Sequence, residues 1–277
     1  MSVFKQILNF YINSSVHVAL AVFALSWITL KDFDVPFDNT VLYFIFYASI
    51  TGYNFVKYFG LAKFHHRRLA SWLKLIQVVS FISFVLMCFY AYQLKEITLI
   101  WIAGFGLATF LYAIPFLPNR LFLDEHNNLR SIAGFKVYII ALVWSGVTVF
   151  LPLLNNAYAI NADIIITGIQ RFIFVTILTL PFEIRDLQFD SVKLSTIPQN
   201  IGIKGTKILG VCLGIILFFS EFFKKDIHIK QVIVLLLITI LSLVVLLFAK
   251  KEQGKYYCSF WVEGIPIVWL ILYLIFI

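Results

Sequence analysis

Nine runs of mostly apolar residues, each near the roughly 20 that a helix needs to cross the hydrocarbon core of a bilayer, take up most of this 277-residue chain. They fall at about 11–30, 40–60, 72–93, 97–117, 131–153, 162–182, 204–222, 230–249 and 257–277. The breaks between them are short and hold the Pro, Asn and charged residues of loops. The pattern predicts an all-α, polytopic membrane protein of nine transmembrane helices, forming one domain over residues 1–277. Only 13% of the residues are charged, against roughly 25% in soluble chains, so a soluble globular fold is excluded. The N-terminus has no signal-peptide cleavage pattern, and the first run is expected to be a retained helix. Cys88, Cys212 and Cys258 stand apart in apolar surroundings without metal-binding spacing, which suits packing residues.

The net charge of +8 would suggest a nucleic-acid partner in a soluble domain. Here it matches basic residues gathered in cytoplasmic loops, and no nucleic acid is expected. Even-numbered gaps hold Lys63, Arg67 and Arg68; Arg120 and Arg130; Arg185, Lys193 and Lys204; and Lys250, Lys251 and Lys255. Odd-numbered gaps are poor in such residues, except the one with Lys224, Lys225 and Lys230. The expected location is the cytoplasmic membrane, with the N-terminus inside and the C-terminus outside.

The sixth run ends in TLPFEIRDLQFDSVK, where Glu183, Asp186 and Asp190 are spaced i, i+3, i+7. If helix continues past Pro181, the three carboxylates share one face. A bound Mg²⁺, an oxygen-seeking cation that often bridges carboxylates to a substrate phosphate, would relieve their repulsion. The competing reading is a hydrated loop whose acids pair with Arg185 and Lys193.

The string IRDLQFDSVKLSTIPQNIG, together with the helix count, resembles the UbiA family of intramembrane prenyltransferases. That family has a second aspartate motif after its sixth helix. Arg185, Asp186 and Asp190 match it, followed by Lys193, Thr196-Ile197-Pro198 and Gly202; Glu183 stands where the family often has another acid. The resemblance implies a UbiA-like bundle and Mg²⁺ held by Asp186, Asp190 and Glu183. It also implies transfer of an isoprenyl group from a polyprenyl diphosphate to a lipophilic acceptor within the membrane. The metal would stabilise the departing pyrophosphate. An aromatic-lined cavity would suit the tail and the cation-like allylic carbon, and the chain has 30 Phe and 13 Tyr.

The family's first motif, after the second helix, has Asn followed by carboxylates one, four and eight positions on. In TGYNFVKYFGLAKFHHRRL, Asn54 matches, but those positions hold Phe55, Tyr58 and Ala62. Direct cationic contacts from Lys57 and Arg67, with Lys63 and Arg68, can neutralise the same phosphate oxygens. Alternatively, the basic cluster is a topology signal near anionic headgroups and catalysis has been lost. His65 and His66 are adjacent and point apart on a helix, which favours loop residues over a metal pair. Tyr112 and Lys136 flank the gap between runs four and five, placed either for a substrate headgroup or as interfacial anchors. Arg171 falls within the sixth run, where an ionisable side chain is costly and often functional unless it snorkels outward. Trp144, Pro152 and Pro266 read as structural. No phosphate-binding glycine loop, nucleophile elbow or HExxH pattern occurs.

The leading expectation is therefore a UbiA-like prenyltransferase, with Asn54, Lys57, Arg67, Tyr112, Lys136, Arg185 and Lys193 as substrate-binding residues. The alternative is a non-catalytic relative that binds an isoprenoid or anionic lipid, or acts as a membrane partner subunit. A transporter fits less well, because Arg171 alone looks charged near mid-membrane.

Overall fold

A computed structural model describes residues 3–58, 71–113, 135–189 and 195–276. Among the described residues there is helix and turn but no strand. The helices are α1 (Val3–Asn13), α2 (Val16–Asp32), α3 (Asn39–Tyr58), α4 (Ser71–Ala91), α5 (Glu96–Ala113), α6 (Phe135–Ser145), α7 (Leu151–Asn155), α8 (Ala162–Asp186), α9 (Ile197–Phe219), α10 (Ile229–Phe248) and α11 (Glu263–Phe276). Two π-helical segments interrupt the series: Gly146–Phe150 joins α6 to α7, and Tyr257–Val262 leads into α11.

Six helical stretches are long and apolar enough to cross a membrane: Trp72–Ala91, Lys136–Asn155, Ala162–Asp186, Ile197–Phe223, Ile229–Phe248 and Tyr257–Phe276. The bent pair α1 and α2 makes a seventh if it is one span. The chain is thus a helical integral membrane protein. The first apolar run departs from the single helix expected from residue 11. Ser15 adopts φ 62, a left-handed conformation that no α-helix continues through, and α1 leaves α2 at 57°.

α8 is the central post. It is buried on most sides, packing on α6, α9 and α10. Phe174, Ile177, Leu180 and Ile184 join a core completed by Ala24, Leu25 and Ile28 of α2, Val234 and Ile238 of α10, and Ile265 and Trp269 of α11. Pro181 does not stop this helix, although it deprives Ile177 of a backbone partner; Gln253 of the loop after α10 donates to the Pro181 carbonyl at 3.1 Å. α9 approaches α10 through Gly210, where an added Cβ would lie 2.0 Å from a Leu246 methyl. Close backbone approach of this kind is how membrane helices pack without a hydrophobic driving force between them. A second core joins α2, α3 and Leu151 of α7.

Candidate functional site

A cavity of about 190 Å³ opens beside α8, where α2, α3, α6 and α11 converge. Most of its wall is apolar or aromatic, including Val18, Tyr53, Ile140, Trp144, Val175, Leu178 and Phe182; its polar members are Lys136, Thr179, Glu183, Asp186 and Glu263. The helix irregularities gather here. Pro181 precedes Phe182 and Glu183 in α8, and Pro266 of α11 lines the wall. Val262 ends one π-helical segment, and Trp144 lies two residues before the other. π-Bulges inside helices frequently mark functional sites, because the extra residue per turn re-aims side chains. Trp144 and Pro266, structural by sequence, are therefore also wall residues; the Trp144 indole N–H donates to the Tyr53 hydroxyl at 2.7 Å.

The polar side of the cavity is an ion cluster. Lys136 Nζ lies 3.0 Å from a Glu183 oxygen and 3.6 Å from Asp186 Oδ2. Arg185 Nε donates to Asp186 Oδ1 at 2.8 Å. Glu183 is only 3% exposed, and pairing with that ammonium offsets part of the cost of burying its charge. Lys136 thus lines the cavity and meets both carboxylates.

The carboxylate spacing holds over part of its length. Glu183 and Asp186 sit one turn apart on α8, as i, i+3 requires, but the helix ends at Asp186 and Leu187–Phe189 form a turn. Within the described residues the helical face thus carries Glu183 and Asp186. Asp190, Lys193, Arg67, Lys63, Arg68, His65 and His66 lie outside the described residues, as does the side chain of Tyr112. Among the described residues no group of three His, Cys, Asp or Glu side chains is arranged to hold a metal ion. The two described carboxylates of the expected Mg²⁺ set are each already neutralised by Lys136 or Arg185, so the described residues by themselves do not fit the ion.

Asn54 and Lys57 have a different setting. Asn54 is buried and latches the α1–α2 break: its Oδ1 accepts from Ser15 Oγ at 2.8 Å, and its Nδ2 donates to the Ser14 carbonyl and to Ser80 Oγ. The Lys57 ammonium donates to Ser15 Oγ at 2.9 Å and lies in electrostatic range of Glu263. Lys57 is thereby coupled to a cavity carboxylate of α11, while the cation that meets Asp186 from another helix is Lys136. Asn54→Ala is expected to destabilise the protein by about 2 kcal/mol, the cost of orphaning buried hydrogen-bonding groups. Denaturant titration in detergent micelles reads that loss, and unchanged stability would contradict the latch.

Glu263 is the site residue that sequence reading passed over. It sits in the last apolar run, and an acid inside a span was the available signal. Asp32, at the end of α2, and Glu221, after α9, line a second, smaller cavity.

No protein-family model, curated protein or solved structure matches the chain.

Proposed function

We propose that the α8 cavity binds a polyprenyl diphosphate, and that the protein transfers its isoprenyl group to a lipophilic acceptor within the membrane, as in UbiA-type prenyltransferases. The supporting observation is the division of the cavity into a long apolar and aromatic wall and a polar side with Lys136, Glu183 and Asp186. That division suits an amphiphile with a hydrocarbon tail and a charged head. In this reading Lys136, on the cavity wall, and Arg185, beside Asp186, would contact phosphate oxygens through charge-assisted hydrogen bonds. Tyr53, Trp144 and Phe182 line the wall, and aromatic rings there would steady an electron-poor allylic carbon. The apolar wall excludes water from that carbon, which favours a lipophilic acceptor over hydrolysis. In this reading all nine apolar runs cross the cytoplasmic membrane as a UbiA-like bundle, with the N-terminus inside. Mg²⁺ would neutralise the departing pyrophosphate, and would need Asp190 in addition to Asp186 and Glu183.

A second reading is favoured by the ion cluster itself. Lys136 and Arg185 already neutralise Asp186 and Glu183, and Phe55 and Tyr58 stand at two of the first-motif carboxylate positions. A cavity of this kind also suits a protein that binds an isoprenoid or anionic lipid without turning it over. Incubation of the purified protein with labelled polyprenyl diphosphates, Mg²⁺ and a membrane-lipid extract as the source of acceptor separates the two. Pyrophosphate release, reduced at least about tenfold in Asp190→Asn if it is a direct ligand, is the result expected of the transferase. Saturable binding without release would leave the binder, and no binding would remove both.

A further inference from the structure

α8 carries a second polar site about 22 Å along its axis from Asp186, at 1.5 Å per residue. Arg171 is 2% exposed there, so it does not snorkel outward. Its Nη2 donates to Thr29 Oγ1 at 3.3 Å, and its guanidinium lies 5.0 Å from the Trp269 ring centroid. Its Nη1 is buried without a hydrogen-bond partner among the described residues, as is the hydroxyl of Thr167, one turn away on the same helix. Both side chains line a cavity of about 20 Å³, together with Asp32, Gln170, Glu221, Lys224, Gln231, and Tyr273.

Of the other charges lining this cavity, Glu221 and Lys224 pair with each other, and Asp32 lies in electrostatic range of Arg171 and Lys224. Glu221 Oε2 accepts from Lys224 Nζ and from Gln170 Nε2, both at 2.8 Å. Asp32 is hydrogen-bonded by Tyr273, whose hydroxyl also accepts from Gln231. Asp32 lends Arg171 electrostatic support but forms no ion pair with it within 4.0 Å. The unused capacity of the cavity is thus a pair of donors, one of them on a buried cation. A buried cation without a close counter-charge is costly. Water would satisfy the hydrogen bonds but not the charge. The volume exceeds the roughly 10–15 Å³ that one water needs and is far too small for a lipid headgroup.

We propose that this cavity binds a single small anion of halide size, held by Arg171 Nη1 with the Thr167 hydroxyl as second donor. The inference does not rest on the function proposed for the larger cavity. It also accounts for the basic residues that break the charge alternation of the loops. Lys224 lines the site, and the exposed Lys225 and Lys230 flank it in sequence.

The test uses the full-length protein in detergent, moved from gluconate into chloride at constant ionic strength. Chloride is expected to raise the melting temperature saturably, as a ligand of the folded state does. Iodide is expected to add a saturable quenching step to tryptophan emission that Trp269→Phe removes. Thr167→Val, which disturbs no hydrogen bond within the described residues, should shift half-saturation upward by about threefold or more. Arg171→Gln should abolish the saturable response; if that variant does not fold, the Thr167 and Trp269 variants decide. Identical melting in chloride and gluconate would overturn the proposal and leave a water site. So would a saturable response that survives in Arg171→Gln, or one unchanged in both Thr167→Val and Trp269→Phe.

Discussion

Lys136→Met is expected to destabilise the protein by about 3 kcal/mol, because it removes an ammonium that pairs with the buried Glu183 carboxylate. The lower part of the range for broken buried pairs applies, since Lys136 retains 18% side-chain exposure. The double variant Lys136→Met, Glu183→Leu removes both charges and should recover most of the loss, as apolar replacements of buried ion pairs often do. Denaturant unfolding of the two single variants and the double in micelles gives the coupling directly. A double variant no more stable than Lys136→Met alone would mean that the pair does not carry the charge balance of the cavity. Asp186 would be affected less, because Arg185 holds its other oxygen.

Filling the cavity should separate binding from stability. Val175 is 2% exposed and lines the wall from α8. In Val175→Phe the added atoms can enter open volume of about 190 Å³, so the overpacking cost should stay near the low end of about 1–3 kcal/mol. Affinity for a polyprenyl diphosphate is expected to fall by more than about tenfold, near 1.4 kcal/mol, because the ring takes the place of the tail. Equilibrium binding with a labelled ligand reads this effect, and an undiminished affinity would place the ligand elsewhere.

What the sequence revealed follows from how each feature is encoded. Helix positions were legible because runs of apolar residues report the bilayer thickness directly: each of the nine runs begins within about seven residues of a described helix start. The break at Ser14–Ser15 was not, since it rests on a left-handed Ser15 held by Asn54 and Lys57 from α3. Glu183 and Asp186 were legible as neighbours because helical spacing is local. Their partner Lys136 was recognised as a site residue, but its pairing joins α6 to α8 and has no signature in either segment. Glu263 was hidden by its apolar surroundings, and Lys57 reaches it only through the packing of α3 near α11. The role of Lys224 was obscured for a similar reason: the loop-charge rule treats every lysine as a topology signal, whereas this one is tied to Glu221 and a buried cavity.

Photo-crosslinking a polyprenyl diphosphate that carries a diazirine in its tail, followed by peptide mapping, tests the central claim most directly. The account predicts label on the wall segments Val137–Trp144 of α6 and Val175–Phe182 of α8, competed by unlabelled ligand and lost in Val175→Phe. Label confined to the outward faces of α4 or α9, uncompeted and unchanged in that variant, would contradict it.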